Sequence, residues 1–363
     1  MIVKELTLNH FRLIDHSTFR FHPQMNIIIG DNAQGKTTVL EAIHLLGLTK
    51  SHRLAKDEDM IQTDAEFAKI HALCHFNQTD NNLSMVISKS GKKAKINDLE
   101  MTKLSDYIGR LHVVMFSPED IDLIKGSPLE RRRFLDLAIS QLSNQYVQYL
   151  LKYRKLLKER NDILKGLDQN KFDLVMLDVI TDQMIHYAEK IVIKRKKFLD
   201  DLNPILEKYI RVISEDDPIT TLLYDPSVEQ HFKQMYEKKK SIDMMLKSTS
   251  LGPHRDDCLF YAQAKQVKTI ASQGQLRTIV LALKLSLSEM INAKYGHYPV
   301  VLLDDMFSEL DHKRQQSILS KLNQKAQLFI TTTDLSTIDE TVLSQATLFT
   351  IEEGKIKGVK HYG

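Results

Sequence analysis

The chain has 363 residues, 42% of them hydrophobic, which is enough for a sizeable core and two or three domains. Its formal net charge is only +3 despite 50 Lys and Arg, so it is no uniform polycation and any polyanion site must be local. Two cysteines, Cys74 and Cys258, are too few for a disulfide framework and lack metal-ligand spacing. With no basic-then-apolar leader and no apolar run long enough for a bilayer, a reducing cytoplasmic setting without a membrane role is expected.

In chain order, Met25-Asn26-Ile27-Ile28-Ile29 is a short apolar, β-branched run, predicted as a buried strand. It runs into Gly30-Asp31-Asn32-Ala33-Gln34-Gly35-Lys36-Thr37, a complete G-x-x-x-x-G-K-[ST] phosphate loop, and then into a predicted helix from Thr37 to Leu46. Successive backbone N–H groups of such a loop cradle phosphates, and the helix N-terminus adds partial positive charge. Lys36 is expected to reach the β/γ oxygens of ATP, and the Thr37 hydroxyl to ligate Mg²⁺.

A second buried strand is predicted at Leu111-His112-Val113-Val114-Met115-Phe116. Beyond Gly126 and Pro128 the pattern turns helical and basic, with Leu135, Leu142, Tyr146, Tyr149, Tyr153 and Leu156 along one face. Further helices are predicted over about residues 171–214 and 227–247, punctuated by Pro204, Pro218 and Pro226. Helices of about 30 residues span roughly 45 Å, which makes a short arm rather than a long coiled coil. Basic clusters at Lys92-Lys93-Ala94-Lys95 (read as a hairpin turn), Arg131-Arg132-Arg133, Lys152-Tyr153-Arg154-Lys155, Lys194-Arg195-Lys196-Lys197 and Lys238-Lys239-Lys240 could contact a nucleic-acid backbone. Each alone is more often a solvated helix face. No base-reading motif accompanies them, so recognition independent of sequence is expected.

Ser272-Gln273-Gly274-Gln275 opens a strongly amphipathic helix carrying Leu276, Ile279, Val280, Leu283, Leu287, Met290 and Ile291. A Ser/Gly turn at a helix N-terminus is a second anion site. It resembles the signature motif of ABC-type ATPases, in which Ser272, Gly274 and Gln275 would cap the γ-phosphate held by another subunit. Pro299-Val300-Val301-Leu302-Leu303-Asp304-Asp305 follows as a Walker B pattern, with Asp304 in the Mg²⁺ shell and Asp305 orienting or deprotonating the attacking water. Ser308-Glu309-Leu310-Asp311 resembles the D-loop of the same class. The strand Leu328-Phe329-Ile330-Thr331-Thr332-Thr333-Asp334 ends where that class places a γ-phosphate sensor, here Thr333, although an ordinary strand end reads equally well. The long interval between Thr37 and Val300, whose strands must share one sheet, requires an insertion.

Along essentially its whole length the chain resembles the RecF family, bacterial recombination and repair ATPases related to SMC heads. The resemblance rests on Phe11-Arg12, the phosphate loop followed by Thr38, Ser51-His52-Arg53 and Phe116-Ser117-Pro118-Glu119-Asp120. It extends through Lys125-Gly126-Ser127-Pro128, Arg131 to Asp136, Leu251-Gly252-Pro253-His254-Arg255-Asp256-Asp257, the Ser272 turn and Asp304 to Asp311. It implies an α/β fold, an ABC-type P-loop ATPase head with a β-rich lobe. The head would comprise residues 1–125 and 251–363, with a helical arm inserted at 126–250. It also implies nucleotide contacts from Gly30 through Thr38, with ATP and Mg²⁺ as cofactors. The activity implied is an ATP-dependent homodimeric clamp on gapped or junction DNA, single- or double-stranded, with weak DNA-stimulated hydrolysis and partnership with RecR, RecO and RecA. An SMC-like structural head is the alternative, and the ATPase subunit of a transporter a weaker one.

Overall fold

The computed structural model describes all residues except 54–55, 167–170, 215–216, 307–314, 316–318, 320–321, 323–324, 339 and 363. The D-loop resemblance at Ser308 to Asp311 therefore lies outside the described residues. The chain opens with β1 (Ile2–Phe11), β2 (Ile14–Arg20), β3 (Met25–Ile29), α1 (Lys36–Leu48), β4 (Phe67–Phe76), β5 (Thr79–Ser88), β6 (Gly91–Ile96), β7 (Leu99–Glu100), α2 (Leu104–Tyr107) and β8 (Val113–Phe116). A middle stretch carries α3 (Asp122–Lys125), α4 (Pro128–Leu142), α5 (Asn144–Gly166), α6 (Lys171–Ile213), β9 (Thr221–Asp225), α7 (Phe232–Leu246), β10 (Asp257–Ala262), β11 (Lys265–Gln266) and α8 (Val267–Ile270). Helix α9 (Gln273–Tyr295) leads to β12 (Val300–Leu303), β13 (Leu328–Thr332), β14 (Ala346–Glu352) and β15 (Lys355–His361).

Two compact units result: residues 1–120, 212–215 and 281–363 in the first, and 121–211 with 216–280 in the second. The first unit holds two six-stranded sheets. One is antiparallel in the order β2-β1-β4-β5-β6-β7; the other runs β15-β14-β3-β13-β12-β8, parallel except for β15. Alternation along β1, β4 and β5 puts Leu6, Leu8, Ile70, Ala72, Leu83 and Met85 on one buried face. Helix α1 touches both sheets and is buried at every position except Thr37, including the polar Lys36, Thr38, Glu41 and His44. Phe21 makes edge contacts with Phe329 at 4.7 Å and Phe349 at 5.5 Å, tying β13 and β14 to the chain just beyond β2. Lys92, Lys93 and Lys95 sit within strand β6 rather than in the turn before it, and Lys92 pairs with Asp57 at 2.6 Å.

The second unit is helical with a small sheet of order β11-β10-β9, whose strands fall between and after the predicted helices. Pro204 does not end a helix: it sits inside α6. Both Pro204 and Asp200, whose carbonyl loses its donor, are exposed, so that carbonyl is not stranded in the core. The neighbouring Asn203 turns its amide to both backbone groups of Leu222, docking β9 on the helix. Helix α7 begins at Phe232 rather than near residue 227.

Buried arginines organise this unit. Arg195 reaches Asp136 (2.9 Å), Asp256 (3.3 Å), the Tyr146 hydroxyl (3.0 Å) and the Pro253 carbonyl (2.8 Å). Arg160 donates to Asp243 (2.8 Å) and Thr249 (2.7 Å), and Arg131 forms a two-pronged pair with Asp257 (2.7 and 2.9 Å). Burial opposes the charge on Asp136, yet Arg195, Arg154 and the Tyr146 hydroxyl hold its carboxyl below the usual carboxylate range. Burial lowers His254 to about 4, so its neutral ring accepts from Tyr153 (2.6 Å) and donates to the Thr249 carbonyl (3.1 Å). Among the described residues no helix is long and apolar enough to cross a membrane.

Candidate nucleotide site

The C-terminal ends of β3, β13 and β12 lie side by side, in register from Ile29 to Thr332 and from Ile330 to Leu303. Ligands of open parallel sheets gather at this edge. The phosphate loop leaves β3 here and α1 begins at Lys36, as the motif requires. Gly35 takes φ +104°, a conformation that strains any side chain. Gly30 is required for a different reason: a Cβ there would stand 2.3 Å from the Ile351 carbonyl of β14. The loop is also held from the β14–β15 turn, where Gly354 N–H donates to the Gln34 carbonyl (3.0 Å) and Glu353 N–H to the Gln34 side chain. Asp31, Asn32 and Ala33 face solvent at its crest.

Lys36 is 4% exposed, and its ammonium bridges the Gly30 (2.8 Å) and Asp31 (3.1 Å) carbonyls across the loop. Neither carbonyl carries a charge to cancel that of the lysine, and α1 has neither a side-chain cap nor an acidic residue in its first turn. Both features suit an anion. Thr37 donates to Asp304 Oδ1 (2.9 Å), and so does Thr331 (2.7 Å), while the Asp305 N–H donates to the Thr331 hydroxyl (2.9 Å). Thr38 is buried behind them. Asp304 is 7% exposed; burial pushes its carboxyl above the usual range, the Asp305 charge adds to this, and the threonine donors and Arg53 oppose it. An oxygen pair at the end of a phosphate loop, on a carboxylate short of positive charge, is a donor set suited to a hard divalent cation. Asp305 is half-buried with φ +46°.

Thr333, the expected sensor, is exposed just past the end of β13. Besides Thr37, a hydroxyl of β13 touches the Walker B carboxylate: that of Thr331, two residues before Thr333 and fully buried. The parallel register of β13 with β12 could have pointed to it. Glu41 in the middle of α1 is a second residue that motif reading passed over. Fully buried, it takes two bonds from Arg12 (3.1 and 2.8 Å) and one from the Ser51 hydroxyl, which in turn accepts from Arg53 N–H (3.1 Å). The Phe11-Arg12 and Ser51-His52-Arg53 segments are thus hung from the phosphate-loop helix, and Arg53 lies close enough to act on Asp304.

Ser272 and Gln275 sit in the second unit. Their side chains and backbones exchange bonds in a reciprocal cap of α9: Ser272 N–H to Gln275 Oε1 (2.9 Å) and Gln275 N–H to Ser272 Oγ (3.2 Å). Ser272 is exposed and Gly274 half-buried.

The model of the RecF/RecN/SMC N terminal domain family matches residues 2–357. The DNA replication and repair protein RecF of Halalkalibacterium halodurans is 43% identical over 368 residues, covering 98% of this chain and 99% of the relative. A solved structure described as the recombination mediator protein RecF-ATP in the RecFOR pathway superposes with a TM-score of 0.90 at 31% identity, covering 98% and 97% of the two chains. An Smc head domain derived from Pyrococcus furiosus, at 14% identity and a TM-score of 0.54 over 99% and 96% of the chains, shares the fold. With a phosphate loop and a Walker B pair meeting at the edge of one parallel sheet, and with this identity over its full length, the chain belongs to the RecF family.

Proposed function

We propose that this protein is an ATP-dependent DNA-binding protein of recombinational repair, in which ATP binding drives homodimerisation into a clamp on gapped or junction DNA. The observation that carries the reading is the hydrogen-bonded chain from Thr37 through Asp304 to Thr331, which joins the phosphate loop to the Walker B strand. In it, Lys36 and the loop amides from Gly30 to Thr38 bind the phosphates. Thr37 and Asp304 would hold Mg²⁺, which when bound would supply Lewis-acid stabilisation of the developing negative charge. Asp305 orients or deprotonates the attacking water, and Thr333 reports the γ-phosphate.

Ser272, Gly274 and Gln275 act on the nucleotide of the other protomer, so binding energy is converted into association. The exposure of Ser272 supports this, since its hydroxyl caps its own helix and faces solvent. The functional head comprises 1–125 and 251–363, with 126–250 as the arm, although residues 251–280 pack with the arm's compact unit. Hydrolysis is slow, stimulated by DNA, and opens the clamp. The RecFOR setting of the solved relative supports partnership with RecR and RecO. Loading of RecA, in the cytoplasm, completes the reading.

Sedimentation with and without ATP and DNA tests the clamp. ATP should convert monomer to dimer, and gapped DNA should hold the dimer together. A protein that binds ATP and stays monomeric at every concentration refutes it.

A further inference from the structure

Two basic clusters in the middle of the chain, Lys152-Tyr153-Arg154-Lys155 and Lys194-Arg195-Lys196-Lys197, divide by environment once folded. Most of their cations are neutralised by carboxylates: Arg154 by Asp136, Lys155 by Glu159, Arg195 by Asp136 and Asp256, Lys196 by Glu229 and Lys197 by Asp201. Lys152 on α5 and Lys190 on α6 are held differently. The Lys152 ammonium lies 5.3 Å from the centre of the Tyr187 ring, and that of Lys190 lies 5.1 Å from the Tyr149 ring. The two rings are 6.2 Å apart, so each helix supplies one lysine and one tyrosine to a reciprocal clamp. Among the described residues neither lysine has a carboxylate partner.

The difference matters electrostatically. A carboxylate cancels the charge it holds, whereas a ring attracts an ammonium through its quadrupole and leaves the unit charge intact at a distance. The rings also restrict two flexible side chains before any ligand arrives, which lowers the entropy lost on binding. Lys194, one turn further along α6, extends the same stripe. With the lysines covering the ring faces, bases have nothing to stack on, so the surface suits phosphate rather than nucleobase.

We propose that the ring-held pair Lys152 and Lys190 is a contact for the sugar-phosphate backbone of DNA. The proposal rests on the DNA-binding reading above and names residues by which the second unit takes part.

The test is fluorescence anisotropy of a labelled gapped duplex with the full-length protein, ATP and Mg²⁺, over a salt series. Each lost duplex phosphate contact should lower the slope of log affinity against log salt by about 0.9. In Lys152→Gln/Lys190→Gln, the loss of affinity between about 50 and 200 mM salt should therefore shrink roughly tenfold relative to wild type for each protomer that contacts the DNA. Lys152→Arg/Lys190→Arg should keep the wild-type slope, as should Lys196→Gln/Lys197→Gln, which removes carboxylate-paired lysines instead. A wild-type slope in Lys152→Gln/Lys190→Gln overturns the proposal and is the result expected if this surface serves an acidic protein. An equal loss in the paired-lysine control overturns it too. A wild-type protein that binds no DNA overturns the DNA reading itself, and the proposal with it.

Discussion

Thr331→Val is the sharpest single perturbation of the site. The side chain is fully buried in β13, so the valine methyl replaces a hydroxyl that has two partners, Asp304 at 2.7 Å and the Asp305 amide at 2.9 Å. A hydrogen bond to a charged group contributes about 1.5–3 kcal/mol, and a buried donor left without an acceptor costs about 1–3 kcal/mol. Because the two losses share one atom they will not add fully, and about 2–4 kcal/mol is expected. In a domain of this size, each kcal/mol lowers the melting temperature by about 2–4 °C, so the first unit should melt about 5–15 °C earlier. If the bond to Asp304 matters in catalysis as well, its 1.5–3 kcal/mol corresponds to about a 10- to 150-fold loss of ATP turnover. Calorimetry and steady-state hydrolysis read the two effects separately. Thr331→Ser keeps the hydroxyl and should recover most of both. Thr333→Val, at an exposed position, should leave melting unchanged and lower turnover alone. A Thr331→Val protein that melts and hydrolyses like the wild type would refute the role given to this hydroxyl.

Lys36→Ala should abolish nucleotide binding or hydrolysis while the fold survives, as equilibrium binding of a fluorescent ATP analogue and circular dichroism will show; wild-type affinity and turnover would remove Lys36 from the site. Ser272→Arg should keep nucleotide binding in the monomer and lose ATP-dependent dimerisation in sedimentation, since a long cation at an exposed helix cap blocks only an opposing protomer; loss of binding by the monomer contradicts the composite site. Asp304→Ala should weaken Mg²⁺-ATP binding, whereas Asp305→Asn should bind and trap the dimer while slowing single-turnover hydrolysis by about 10²–10⁴. Normal hydrolysis by Asp305→Asn would move the base elsewhere. The depressed pKa of Asp136 makes an acid prediction for the second unit: the stability it contributes is fully present above its ordinary value of about 3.8 and is lost as pH falls through the lower folded value. Asp136→Asn should therefore destabilise at pH 7 and converge with wild type below about pH 4. A difference that stays constant down to pH 2 in acid titrations followed by near-ultraviolet circular dichroism would contradict it.

The phosphate loop, its flanking strand and helix, and the Walker B strand were legible because each is a local pattern whose chemistry depends on neighbours in sequence. Thr331 was not, because its role comes from strand pairing. Leu303 lies beside Ile330, so the first residue past β12 meets Thr331, while the unpaired chain end invites attention to Thr333. The sheet of β9, β10 and β11 was lost for a similar reason: two of its strands have five residues or fewer, and they lie between helices whose periodicity dominates. The basic clusters are the most instructive case. Lys194-Arg195-Lys196-Lys197 reads as a single charged run, yet a helix turns 100° per residue and cannot present four consecutive side chains to one side. Ile191, Phe198, Leu199 and Leu202 are all buried on α6, and Arg195 falls on their stripe, 1% exposed. A cation at such a position requires buried carboxylates, which Asp136 and Asp256 supply from segments far apart in sequence. The same rotation carries Lys194 outward, toward the side that Lys190 occupies one turn earlier. Charge runs along this chain are therefore mixtures, and helical phase decides which members build the core and which remain available to a polyanion.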